Sequence, residues 1–237
     1  MVWWKSESIP LTMKTRLLLV VALVVALGAR AQGLVYFNNT PTTRISTNGI
    51  PGGGTGLTAP VANLFYYALY CSMTATTVLG ATNALTPGGS GIVGGIFVFN
   101  DPNWTLVAYG TNSPFAAGRL ASSQQNSDGF TVVPDVPGGS AAHFVVLGWS
   151  ANLGSTVAAL QGSLFSGFAF GSIGESAVSG SYLLGNGSFI PAPVIFGTGP
   201  SQISGFTLAL VPIPEPTALA LVLTGGVGFF FCRRKAN

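Results

Sequence analysis

Charge is what this sequence has least of: among 237 residues there are 9 Lys and Arg and 6 Asp and Glu. Between Gln32 and Val211 lysine is absent, and two cations, Arg44 and Arg119, stand against four anions, Asp101, Asp128, Asp135 and Glu175, a net −2. That stretch has no basic stripe able to neutralise phosphates, so no nucleic-acid partner is expected. Its surface must be solvated by Ser, Thr, Asn, Gln and Gly, which suits a neutral, hydrated polymer better than a charged partner. Histidine occurs once, at His143, which excludes a histidine-based metal cluster and leaves a Ser-His-Asp triad only that residue as its base. Its place after Ala141 and Ala142, at a strand entry, reads as a hydrogen-bonded strand histidine. No G-x-S-x-G elbow occurs. Of the two cysteines, Cys232 lies in the terminal segment, so residues 32–211 have no disulfide within them and their fold must hold by its core alone. Cys71, beside Leu69 and Tyr70, reads as a small buried hydrophobe.

What is present is concentrated at the two ends. Met13-Lys14-Thr15-Arg16 begins a basic segment, residues 17–27 are an unbroken aliphatic run, and Ala29-Arg30-Ala31 supplies small residues at the cleavage positions. These are the three parts of a secretory signal peptide, residues 1–31, whose removal leaves Gln32 as the first residue. Residues 1–12 add nothing such a peptide needs, and translation is expected to start at Met13. At the other end, Pro212-Ile213-Pro214-Glu215-Pro216 precedes an uncharged apolar run, residues 217–232, and then Arg233-Arg234-Lys235. The run is long enough for a tilted or slightly thinned membrane span once the stem of Arg233 snorkels. The positive-inside bias places the basic cluster on the cytoplasmic side as a stop and everything before Pro212 outside.

Pro214-Glu215-Pro216, the apolar run 218–231 and Arg233-Arg234-Lys235, in that order at the C-terminus, resemble the PEP-CTERM sorting signal of Gram-negative bacterial surface proteins. The resemblance covers residues 212–237. It implies an exported precursor held in the inner membrane, delivery through the Sec export machinery, recognition by a membrane-embedded exosortase with cleavage near Pro214-Glu215-Pro216, and a cell-surface or extracellular-matrix destination associated with exopolysaccharide. Ile213 stands where valine often precedes the motif, and Cys232 sits at the cytoplasmic edge. Gln32 to Asn39, and Gly148-Trp149-Ser150-Ala151-Asn152 leading into Ala158 and Ala159, resemble strand and core segments of domains joined to such tails, and bring no catalytic assignment.

Residues 32–211 are enough for a single domain burying about 70% of its unfolded surface. Strands are predicted at 34–38, 62–70, 92–100, 104–109, 130–133, 143–149, 164–170 and 203–211, where aromatic and β-branched residues gather. Turn clusters separate them: Pro51-Gly52-Gly53-Gly54, Pro87-Gly88-Gly89, Asp101-Pro102-Asn103, Pro137-Gly138-Gly139 and Gly185-Asn186-Gly187. Residues 143–149 are apolar on both faces and read as a central strand, and residues 155–160 as one short helix with Ser155 or Thr156 at its N-cap. The fold class is all-β: an antiparallel sandwich or jelly-roll-like domain between a signal peptide and a C-terminal transmembrane helix.

The chemistry expected of this domain is small. Asp101, Asp128, Asp135 and Glu175 are the carboxylates from which a hydrolase would draw an acid and a base. Asp101 before Pro102, Asp128 before Gly129 and Asp135 between prolines are turn contexts where Asp accepts backbone hydrogen bonds. Two carboxylates without a D-x-D pattern argue weakly for calcium. Gly89-Ser90-Gly91-Ile92-Val93-Gly94 has the G-x-G-x-x-G spacing but precedes an apolar, strand-like run instead of opening a helix. No catalytic, cofactor-binding or metal-ligating residue is therefore expected. The expected role is that of a non-catalytic surface or matrix protein. The alternative is a carbohydrate-binding module of the envelope or exopolysaccharide in which Trp104, Tyr66 or Tyr109 stacks on a sugar, and the third reading is a glycan-active hydrolase using the carboxylates above.

Overall fold

A computed structural model describes residues 32–50, 54–79, 97–165 and 171–210. The expected signal peptide and its cleavage residues, the sorting motif, the apolar run and the basic stop lie outside the described residues, as do strand positions 92–96 and 166–170. Among the described residues no helix is long and apolar enough to cross a membrane.

The chain is mostly β. Among the described residues the strands are β1 (Gln32–Val35), β2 (Ser46–Ile50), β3 (Gly54–Leu57), β4 (Phe65–Ser72), β5 (Thr105–Asn112), β6 (Leu120–Ser122), β7 (Thr131–Pro137), β8 (Ala141–Ser150), β9 (Ser172–Glu175), β10 (Tyr182–Leu183) and β11 (Thr207–Leu210), with one α-helix, α1 (Val157–Phe165), between β8 and β9. One sheet runs in the order β3-β2-β11-β9-β8-β4-β5-β6, and β10 pairs with the start of β8. β1 and β7 form a separate two-stranded ribbon.

The sheet is mixed, which corrects the expectation of a purely antiparallel one: β11 lies parallel to β2 while its other neighbour, β9, is antiparallel. A parallel neighbour needs a long crossover, and here almost the whole domain lies between the two strands. The registers Phe65↔Ser150, Tyr66↔Thr111, Asn112↔Leu120, Trp149↔Ile173 and Leu210↔Ser172 put those residues at one end of the sheet. Ser72↔His143 and Leu183↔Ala141 mark the other end.

β4 and β8 are central because both of their faces are apolar. On one face Tyr67, Leu69, Cys71, Phe144 and Val146 pack with Val35, Phe37 and Val133 from the ribbon side and with Leu184, Ile195 and Phe196 from the long segment before β11. On the other, Ala68, Tyr70, Val145, Leu147, Trp149 and Ile173 pack beneath Phe97, Val98 and Trp104 and beneath Val157 and Leu160 of α1. Gly148 and Gly174 are cross-strand neighbours, and other residues pack into the space their missing side chains leave. A Cβ on Gly148 would stand 2.9 Å from the Tyr67 ring and 3.0 Å from Leu208, so the missing side chain is what lets those two approach.

Two predicted strands differ. Val98–Asn100 is a turn of 3₁₀ helix, because the carboxylates of Asp101 and Glu175 draw its neighbourhood into a tight turn. Leu164 and Phe165 close α1, which starts at Val157 with the Thr156 hydroxyl accepting the Ala159 N–H at 3.2 Å. A short apolar run suits helix or strand equally, and packing decides.

Candidate functional site

The described residues bring together one polar cluster, on the face of the sheet that α1 covers. Glu175 ends β9 opposite Leu147, and its alternation with Ile173 points both side chains toward the same buried layer. Its Oε1 accepts the Val98 N–H at 2.6 Å. Asp101, buried just beyond that 3₁₀ turn, accepts Leu79 N–H on Oδ2 at 2.7 Å and both the backbone and side-chain N–H groups of Asn103 on Oδ1 at 2.9 Å. Tyr70 of β4 and Tyr109 of β5 belong to the same layer, and the Tyr109 hydroxyl accepts the Val157 N–H at the start of α1, 3.3 Å away.

The two carboxyl groups are pushed in opposite directions. Burial raises Glu175, and the negative charge of Asp101 adds to it, while the single Val98 hydrogen bond pulls the other way without winning, so its pKa reaches about 7. Burial also acts to raise Asp101, but the donors from Leu79 and Asn103 outweigh it and hold the group below its ordinary value. Tyr70 is raised by burial and then by Tyr109 and Glu175. No cation belongs to this cluster: among the described residues the only two, Arg44 and Arg119, bond Pro41 O and Asn39 Oδ1. Chemically the arrangement is a brace. Asp101 and Glu175 tie Leu79, Val98 and Asn103 to one another and to β9, and Glu175 can take up a proton near neutrality.

The predicted turn role of Asp101 is seen in these bonds. Asp128 is exposed, in a turn where Asn126 Oδ1 accepts the Asp128 and Phe130 N–H groups. Asp135 is exposed in β7 with φ 59°, inside the bulge that opens where the register passes from Gln32↔Pro137 to Gly33↔Val133. The structure therefore does not bring Asp128 or Asp135 to the Glu175 cluster. His143 is partly buried in β8 with Nδ1 3.1 Å from Ser179 O. Cys71 is buried and desolvation pushes its thiol up to about 12, so it presents no thiolate at neutral pH. No group of three or more His, Cys, Asp and Glu side chains suited to a metal ion exists among the described residues.

The aromatic candidates for a sugar contact fare differently from one another. Trp104 is 5% exposed, packs in the second core and donates its indole N–H to Thr77 O at 3.3 Å. The amphipathic ring is held because a buried indole needs an acceptor and Thr77 supplies one. Tyr66 and Tyr109 are partly exposed. Tyr66 lies tilted against Trp149 with ring centroids 6.2 Å apart.

Glu175 is the residue that sequence reasoning left unassigned. The available signal was its alternation with Ile173 in an otherwise uncharged segment, which places a carboxyl on an inward-facing position. The chain matches no family model, no curated protein and no solved structure.

Proposed function

We propose that this chain is an exported, non-catalytic cell-surface or extracellular-matrix protein, delivered as a membrane-held precursor and processed at Pro214-Glu215-Pro216. The observation that carries the reading is the order of proline-rich motif, apolar run 217–232 and Arg233-Arg234-Lys235 at the C-terminus. The composition of residues 32–211 supports it, with a core built without a disulfide and an exterior almost without charge. In finer terms, we read the β1–β7 ribbon packed on the main sheet as a sandwich-type domain between a signal peptide and a transmembrane helix. The carbohydrate-binding alternative has no support at Trp104 and rests on Tyr66 and Tyr109 alone.

Mass spectrometry of the protein in surface, secreted and inner-membrane fractions tests the proposal. The expected wild-type product begins at Gln32 and ends near Pro216, and Glu215→Ala keeps residues 233–237 and stays in the inner membrane. A wild-type surface product that still carries Arg233-Arg234-Lys235 would show a plain anchor and overturn the processing step.

A further inference from the structure

The end of the sheet marked by Phe65, Asn112, Ser150 and Leu210 combines three properties. First, its loops expose apolar side chains. Phe115, at the tip of the β5–β6 connection, is 93% exposed, Val61 is 52% and Leu64 is 43%. Asn112 binds these loops into one surface: its Oδ1 accepts the N–H groups of Leu64 and Phe65 at 3.1 and 3.0 Å, and its Nδ2 donates to Ala59 O at 2.7 Å and to Val61 O. Ser113 adds a bond from its N–H to Arg119 O at 2.7 Å, which closes the Phe115 loop on itself. The apolar tips are thus held out by a built framework.

Second, both cations of residues 32–211 stand beside the Phe115 loop, Arg44 on the side where β11 begins, its backbone against Gly205. Arg119 ends the Phe115 loop, and Arg44 packs against it, since a Cβ on Gly118 would stand 2.8 Å from Arg44 Cβ. Residues 58–64, 113–119 and 151–156, which form the connections at this end, contain no acidic residue. Asp101 precedes β5, whose first residue Thr105 pairs with Cys71 toward the opposite end, and Asp135 lies beside Pro137 at that end as well. Third, the chain leaves the described fold from this end, at Leu210 of β11. Six residues, with prolines at 212, 214 and 216, separate Leu210 from the apolar run that begins at Thr217, a reach of at most about 25 Å.

We infer that this end of the domain rests on the surface of a lipid bilayer containing anionic lipid, with Phe115, Val61 and Leu64 in the headgroup interface and Arg44 and Arg119 beside the phosphates. The inference depends on the reading of residues 217–232 as a membrane span. An aromatic tip flanked by aliphatic residues and arginines is the chemistry of interfacial anchoring, and a separation of six residues keeps Leu210 within reach of the membrane before any cleavage. Phe189 is 92% exposed at the other end, beyond β10 and the start of β8, and serves as the internal reference.

The test uses the full chain reconstituted in vesicles of phosphatidylethanolamine and phosphatidylglycerol. Phe115→Cys, Val61→Cys and Phe189→Cys, each combined with Cys232→Ser, carry an environment-sensitive fluorophore, and quenching by brominated lipid is compared with quenching by aqueous iodide. The expected result is several-fold stronger lipid quenching at positions 115 and 61 than at 189, which stays open to iodide. Equal, weak lipid quenching at all three positions would overturn the inference. So would protection of 115 and 61 from iodide without lipid quenching, which assigns the surface to a protein contact. If the chain does not float with the vesicles, the membrane-span reading itself fails, and the docking with it.

Discussion

At the scale of single residues, the carboxyl of Glu175 works against the fold at neutral pH. The folded chain holds its proton up to about 7, against an ordinary 4.5, so stability falls as pH rises between those values and is level above them. The gap sets an upper limit of about 3 kcal/mol, reduced because the side chain is partly solvated. Asp101 has the opposite sign: its depressed value gives stability that is present above 3.8 and lost as pH falls through the folded value. Urea unfolding is therefore expected to show greatest stability near pH 4 to 5 from these two groups. Glu175→Gln, which keeps an oxygen for Val98 N–H, should flatten the neutral limb and leave the acid limb in place. An unchanged neutral limb in Glu175→Gln would mean that another group is responsible. Gly148→Ala forces a methyl to 2.9 Å from the Tyr67 ring and should cost about 1–3 kcal/mol in the same measurement.

Among the elements, β4 and β8 share a continuous register from Phe65↔Ser150 to Ser72↔His143 and are buried on both faces, whereas β3 is an edge strand and β10 has two residues. Hydrogen exchange should be slowest at Leu69, Val145 and Val146 and fastest in β3 and β10. A uniform rate across the sheet would contradict this division. The central position of β8 was legible because Phe144 to Trp149 is apolar at every alternation. β2 and β3, Ser-Thr-Asn-Gly-Ile and Gly-Thr-Gly-Leu, were not, since nothing in their composition distinguishes them from a loop and their place depends on β11, more than a hundred residues on. Asp101 was legible as a turn residue because its partner Asn103 is local, whereas its bond from Leu79 N–H, 22 residues back, was not. Glu175 acquires its role only through Val98 and Asp101, whose distance in sequence no pattern bridges.

On the scale of the whole molecule, two cations and four anions over residues 32–211 leave little electrostatic free energy to screen. The denaturation midpoint in urea at pH 5 should therefore change little between low and high sodium chloride, and a strong salt dependence would indicate charge coupling that this composition does not suggest. The scarcity of charge was plain from the sequence. Its uneven placement, with Arg44 and Arg119 together beside the Phe115 loop, required the fold, because residues 75 apart meet only through the curled sheet.

β11 completes the main sheet between β2 and β9 with four residues from the far end of the domain. During synthesis from the N-terminus, β2 and β3 wait for their sheet neighbour until residues 207–210 arrive, an interval of roughly 8–30 s at 5–20 residues per second. Through that interval the hairpin of β2 and β3 can pair with the wrong strand or with another chain, and over its last 32 residues β9 presents an open edge as well. The domain thus closes only with its last strand, so the chain becomes safe from mispairing only when the synthesis of residues 32–210 is complete.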